Sequence, residues 1–350
     1  MEIFFQFLGA FGVVVLIVLV LVVIAAMILW AKFKKMLKEF AEEVGKFADN
    51  SEGNPQRVTL VECDDPVWKD ADGAEHATKA FEQRGLKCVA NFKVNEFPKL
   101  SMRAFVKGDE GLLGIIYEME PVGQWLDLCK HYANDSSLTI TNSVVGEGLK
   151  QRENHRKVRS EGASADELIN ILKEHDLGDE ADMLDGSLEA FKHVFEKAYA
   201  DEMDWRNAMG GPDEDEIRAV AVGSGIDASD EAVELTRALK QRQACEGLNI
   251  ALSERYRSKQ SLNETSWREL SERIVFVHDK LPEELLSDLF EDHKIELLPD
   301  TDIAEILNYR SARQTFECVN NRLKTDERFR KIDTLEEPLP TDVYERSLRN

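Results

Sequence analysis

The first thirty residues stand apart from the rest of the chain by pattern alone. From Ile3 to Ala31 there is no charged residue, and Val13–Ile24 contains only Val, Leu and Ile. A helix needs about 20 apolar residues to cross the hydrocarbon core of a bilayer, and it satisfies its own backbone there. A cleaved signal peptide would call for a basic leader and a shorter apolar core of about 7–15 residues. Here the leader carries Glu2 and no Lys or Arg, and Trp30 and Lys32 follow the run directly. The pattern predicts a retained anchor over residues 1–31. Lys32, Lys34, Lys35 and Lys38 follow it, and no basic residue precedes it. By the positive-inside rule the N-terminus lies outside and the rest of the chain is cytoplasmic, at a bacterial inner membrane. Residues 32–48 keep helical spacing through Phe33, Met36, Leu37, Phe40, Val44 and Phe47. This basic amphipathic stretch either lies along the anionic leaflet or continues the membrane helix.

After a polar linker at 49–56, the pattern changes to alternation. Strand-like runs fall near 58–63, 88–94, 100–107, 112–120, 137–143 and, weakly, 156–160. They place Phe92, Val94, Met102, Ala104, Ile115, Tyr117, Leu138 and Ile140 on one face. Helical spacing is read at 74–86, at 122–133 (Val122, Trp125, Leu126, Cys129, Tyr132) and at 164–176. The last begins with a Ser164–Glu167 capping box. Together these predict an α+β domain over 57–180, an antiparallel sheet covered by helices on one face. The sheet's other face would then be open. It would carry Lys93, Arg103, Phe105 and Glu118, with Asn91, Ser101, Lys107, Glu120, Thr139 and Thr141 beside them.

Beyond residue 180 the alternation is lost. Helices are read near 186–207, 213–222, 229–260, 264–279, 282–294 and 302–325, with a capping box at Ser266–Glu269. The expectation is an all-α C-terminal region over 181–332 and a loose tail at 333–350. No internal repeat stands out beyond a possible doubling of strand-helix-strand-strand.

Charge and cysteine usage narrow the setting. The formal net charge is −23, of which about −17 falls within residues 161–235. So acidic a segment excludes nucleic acid as a partner, because phosphates demand a basic footprint. It leaves solvated helix faces, loosely held cations or a basic protein partner. Cys63, Cys88, Cys129, Cys245 and Cys318 are odd in number and form no CxxC pair. That suits a reducing compartment rather than a disulfide framework or a zinc site.

The candidate chemistry mostly reduces to local structure. Gly223–Ala228 has the outline of a dinucleotide-binding turn, but Asp227 and Asp230 put negative charge where a pyrophosphate would sit. A helix ending at Gly223 and a new one capped by Ser229 accounts for the same residues. Acidic residues 176–185 fail the calcium-loop register, because Ala181 falls on the first ligand position. Asp213–Glu216 reads as the acidic first turn of a helix after Pro212. No HExxH, GxSxG or phosphate-loop pattern occurs among 350 residues. His155 lies in the polar stretch 151–156, where solvation or a ligand contact would each account for it. No metal or cofactor is expected, and the balance leans away from an enzyme.

Residues Trp125–Tyr132 and Asp135–Asn142 resemble bacterial single-pass membrane proteins of unassigned function, over roughly residues 85–178. The strand-helix order resembles gyrase-inhibitor-like and SOUL effector-binding domains. That resemblance implies a small-ligand fold and carries over no binding residue. The sequence thus points to a membrane-tethered, non-catalytic module that recognises a small molecule or a protein partner. The alternative is an assembly protein that docks a membrane-associated complex through its helices.

Overall fold

Seven strands in chain order build the main sheet: β1 (Leu60–Cys63), β2 (Lys87–Val94), β3 (Phe97–Lys107), β4 (Leu112–Met119), β5 (Gly123–His131), β6 (Ser137–Thr141) and β7 (His155–Arg159). β1 to β6 form an antiparallel meander, and β7 joins β6 in parallel, so the sheet is mixed. This computed structural model describes residues 55–346 except 65, 67, 121, 144–147, 224–228, 279–280, 282–311 and 323–328. The expected anchor, the juxtamembrane helix, the helix at 282–294 and part of that at 302–325 lie outside the described residues. Among the described residues no helix is long and apolar enough to cross a membrane.

The sheet is covered on both faces, where the sequence predicted one. On the first face lie α1 (Ala71–Gln83) and α2 (Ala165–His175). Phe105, Ile116, Leu126, Leu128, Leu138 and Ile140 meet Phe81 of α1 and Leu168 of α2 in one buried cluster. Burying each such side chain is worth about 1.5–3 kcal/mol. Gly114 on β4 lets α1 come this close: a Cβ there would lie 2.9 Å from Leu86 and 3.1 Å from Phe81. The capping box of α2 is present, with Ser164 accepting from Glu167 N and Glu167 accepting from Ser164 N. On the second face α3 (Leu188–Ala208) brings Phe191 against Phe92, Met102, Ala104 and Ile115. Phe191 stacks on Phe92 with ring centroids 5.5 Å apart.

Residues 122–133 are strand β5, which corrects the helix read there. β5 is a central strand with Leu126 and Leu128 buried on one face and Trp125 and Cys129 partly buried on the other, so apolar residues occur on both and the alternation that marks a strand is blurred. The same error inverted β6. Leu138 and Ile140 pack on the first face, opposite Met102 and Ala104, and Thr139 and Thr141 point to the second.

After α3 come α4 (Glu214–Gly223), α5 (Asp230–Lys259) and α6 (Glu264–Ser271). Asp213 and Glu216 cap α4 reciprocally, each side chain accepting from the other's backbone N–H. Ser229 Oγ accepts from Ala232 N at the start of α5, as the helix-break reading requires. α6 is capped by Asn263, whose Oδ1 accepts from Ser266 N, one turn before the box read from the sequence.

The all-α reading of this region is overturned. β8 (Ile274–Val277), β9 (Phe329–Leu335) and β10 (Thr341–Arg346) form an antiparallel sheet in the order β8-β10-β9. The loose tail therefore supplies a central strand. The strand-forming run Ile274–Val277, three β-branched residues and Phe276, ends the helix read through 279. Pro338 and Pro340, taken as marks of a tail, lie in the turn between β9 and β10. Leu248, Leu252 and Tyr256 of α5 pack with Leu335 and Val343 of this sheet. From α7 (Ala312–Arg322), Phe316 meets Phe329 and Tyr344, at 5.3 and 4.5 Å between ring centroids.

Residues 55–60 are fastened to two helices. Arg57 Nη1 donates to Asp204 on α3 at 2.9 Å, and Arg57 Nε donates to Glu254 on α5 at 2.9 Å. Asn207 donates to Gln56 Oε1, Tyr199 OH to the Pro55 carbonyl, and Leu60 N to Glu196.

Candidate functional site

The face singled out by sequence is an interior one along much of its length. Phe105 is fully buried, edge-on to Phe81 at 5.3 Å between ring centroids. Arg103 donates to Asn91 Oδ1 and to Thr78 Oγ1 of α1, both at 2.9 Å, and lies over the Trp68 ring. Glu118 accepts from Lys69 N and Asp70 N, which fixes the approach to α1, and Asp70 then caps the helix at Gly73 N. Lys93 is exposed on β2 opposite Ser101. Arg103, Phe105 and Glu118 thus lie along the α1 side of the sheet, binding helix to strands, and Lys93 faces solvent.

The chemistry collects on the second face, in the half formed by β5, β6 and β7. Strand alternation and register place nine residues there in three ranks. His131 sits opposite Ser137 and Ser137 opposite His155; Cys129 opposite Thr139 and Thr139 opposite Lys157; Asp127 opposite Thr141 and Thr141 opposite Arg159. All nine are polar or titratable. On β4 the Cys129 and Asp127 ranks continue as Leu113 and Ile115, which belong to the apolar cluster under α3, as does Tyr117 opposite Trp125. The face is therefore divided along its length into an apolar half and a polar half.

Asp127 is the central group. Its Oδ1 is fully buried and has no hydrogen-bond partner. Burial pushes its pKa up, against the pull of Lys157, the Thr141 hydroxyl, Arg159 and the Tyr117 hydroxyl. Burial likewise raises Tyr117 well above the phenol range, with the Asp127 charge adding to it. The Cys129 thiol is pushed up to about 12 by burial, and its Sγ lies 3.0 Å from Thr139 Oγ1. It is a neutral thiol, far from the activated thiolate that nucleophilic chemistry requires. Tyr117 stacks on Trp125 with centroids 4.9 Å apart.

The upper rank is neutral as well. Ser137 Oγ lies 2.8 Å from His155 Nδ1. Burial lowers the pKa of both His131 and His155; Asp182 opposes the shift at His131, and Arg152 adds to it at His155. The connection from β6 to β7 runs on the α3 side of the sheet. Lys150 N donates to Glu216 of α4, Arg206 of α3 donates to the Lys150 carbonyl, and Lys150 pairs with Asp213. Gly148 holds φ +81°, and a Cβ there would lie 2.5 Å from Ala219. Arg159 Nη1 donates to the Ser143 carbonyl at 2.6 Å, tying this connection to the lowest rank.

Asp127, Cys129 and His131 went unseen in sequence because they fell in the segment read as a helix. Their i, i+2, i+4 spacing is the signal that a strand reading would have raised. His155, read as a loop residue, opens β7 instead. The acidic stretch beyond α2 is partly structural, since Asp176 accepts from Lys130 Nζ, Tyr132 OH and Gly178 N. Among the described residues no three His, Cys, Asp or Glu side chains are grouped to hold a metal ion. Compared with known proteins, the chain matches no family model, no curated protein and no solved structure.

Proposed function

We propose that this protein is a membrane-tethered, cytoplasmic binding module that takes a small polar molecule on the β5–β7 half of the second sheet face. The observation that carries the reading is Asp127: a buried carboxyl oxygen without a partner, on a carboxyl group flanked by the Tyr117 hydroxyl of β4 and the Thr141 hydroxyl of β6. Buried polar groups are nearly always paired, and an unpaired one costs about 1–3 kcal/mol. A ligand that pairs with it removes that cost, which favours the bound state. The neutral thiol and neutral imidazoles around it supply hydrogen bonds rather than a nucleophile, in keeping with binding over catalysis.

The tether rests on the apolar run Ile3–Ala31 and the four lysines after it. The fastening of residues 55–60 to α3 and α5 agrees with it, because a tethered module needs a firm first attachment. The competing role as an assembly protein finds little support on the surface. Among the described residues beyond 180 the large exposed apolar side chains are Met183, Met209, Val220, Val222, Leu239 and Ile250, spread over four elements and connections, and exposed apolar residues of this kind are ordinary.

Thermal unfolding of the full-length protein in detergent, with and without a library of soluble metabolites, tests the binding role. At least one compound raises the midpoint of the native protein and leaves Asp127→Ala unmoved. If no compound raises it, or both proteins respond alike, the reading fails. A stoichiometric protein partner in a native-membrane pull-down would then favour assembly. A C-terminal reporter that works only in the cytoplasm tests the orientation, and an expressed but silent fusion refutes it.

A further inference from the structure

The polar half of the second face has a direction, and the direction selects a class of ligand. At one end is the unpartnered Oδ1 of Asp127. At the other, on the edge strand β7, stand Lys157 and Arg159. Arg159 is occupied with the Ser143 carbonyl. Lys157 is exposed and forms no ion pair among the described residues. Between the two ends lie the Thr139 and Thr141 hydroxyls of β6. Neighbouring strands are spaced about 4.8 Å apart, so β5 and β7 are separated by roughly 10 Å. A molecule only a few carbons long spans that distance.

Building on the binding role proposed above, we infer that the ligand is a short hydroxy- or keto-acid. Its carboxylate meets Lys157 and Arg159, and its oxygen at the other end pairs with Asp127. An ammonium at Lys157 is a mobile point charge that suits a carboxylate. Thr141 is engaged by Ser143 N and Asp127, but the Thr139 hydroxyl, whose neighbour is the weakly bonding Cys129 thiol, can donate and accept and so serves the middle of such a molecule. A cationic ligand would instead meet two positive side chains on β7. Charge on an edge strand also discourages edge-to-edge pairing, but Arg156 on the opposite face of β7 serves that purpose.

The acid has to coexist with Asp127, and this links binding to protons. The groups that face this carboxyl are Tyr117 from β4, Thr141 from β6, and Lys157 and Arg159 from β7. Protonated Asp127 donates a hydrogen bond to the ligand oxygen, and ionised Asp127 repels the anion. Affinity is therefore full below the pKa of Asp127 in the free protein and falls as pH rises through it.

Calorimetric titration of the full-length protein in nanodiscs decides the matter. The probes are lactate, pyruvate, malate and 2-oxoglutarate, with glycerol as a neutral control and putrescine as a cationic one. We expect one of the acids to bind, Lys157→Ala to weaken it about tenfold or more, and Lys157→Arg to restore most of the loss. Asp127→Asn, which keeps a neutral donor, should retain binding and lose its pH dependence. Unchanged thermal midpoints of the Lys157 variants show that the fold is intact. If glycerol or putrescine binds in an Asp127-dependent way and no acid does, the acid class is wrong and the binding role stands. If an acid binds but neither substitution alters its affinity or pH profile, it sits elsewhere and the inference fails. If none of these probes binds, the acid class fails, while the binding role still stands or falls on the thermal screen of the metabolite library.

Discussion

On the first face of the seven-stranded sheet, a rank of Phe105, Gly114, Leu128, Ile140 and Val158 runs from β3 to β7 without a polar side chain. On the second face the neighbouring rank begins as Ala104 and Ile115 and turns into Asp127, Thr141 and Arg159. The same strands and hydrogen bonds therefore support two surfaces of opposite kind. The first face is closed by α1 and α2 and spends its residues on cohesion. The second is closed by α3 only over its apolar half, where Phe191 stacks on Phe92. Polar residues are tolerated in the interior of a sheet only where something pairs with them. Their concentration in one half-face sets it apart from the apolar packing of the rest of the sheet.

That contrast can be broken in four ways. The largest effect is expected at Phe105→Ala, which empties the first-face core and costs about 3–5 kcal/mol. Thr139→Val on the polar half-face should cost far less, and equal denaturant midpoints for the two variants would erase the distinction between faces. Gly114→Val comes next. Its side chain meets Phe81 and Leu86, and overpacking of this kind costs about 1–3 kcal/mol. An unchanged unfolding midpoint would mean that α1 does not press on β4.

Asp127→Asn should stabilise the protein at neutral pH by about 1 kcal/mol, since it removes a buried charge with an unpartnered oxygen. The sign follows from the raised pKa. A carboxyl that holds its proton more tightly when folded adds stability below its unfolded pKa near 3.8, lost as pH rises through the folded value. The gap between variant and native protein therefore closes on acidification. A gap that widens instead would show the carboxylate to be paired.

The smallest effect concerns His131 and His155. Their pKa values are lowered in the folded protein, so the stability they lend is present above the ordinary imidazole value of 6.5 and lost as pH falls through the folded values. Replacing both with Gln should flatten the acid side of a stability–pH curve by a fraction of a kcal/mol to about 1 kcal/mol. A curve unchanged below pH 6.5 would place both imidazoles in solvent.

The apolar half of the second face and the helices that cover the first could be read from the sequence, but the burial of the first face and the polar half of the second could not. β2 and β3 were legible because Phe92, Val94, Met102 and Ala104 recur at every second position on one face, and α2 announced itself through Ser164 and Glu167. β5 did not, because Leu126 and Leu128 on one side and Trp125 and Cys129 on the other reproduce the spacing of a helix. The misreading hid Asp127, Cys129 and His131, from which the three polar ranks of the second face start. The C-terminal sheet escaped for another reason. Its strands are short, and β8 is separated by over fifty residues from the strands that complete it. Local periodicity cannot report a partner so far away.

The bridging of Arg57 to both Asp204 and Glu254 has a mechanical consequence. Any pull on the chain ahead of residue 55 is shared between α3 and α5 before it reaches β1. The load then runs across side-chain bonds that must break together, rather than along a ladder that opens one rung at a time. α3 is also the helix whose Arg206 holds the connection above the polar half-face. The fastening of residues 55–60 and the placing of the β6–β7 connection thus converge on one and the same helix.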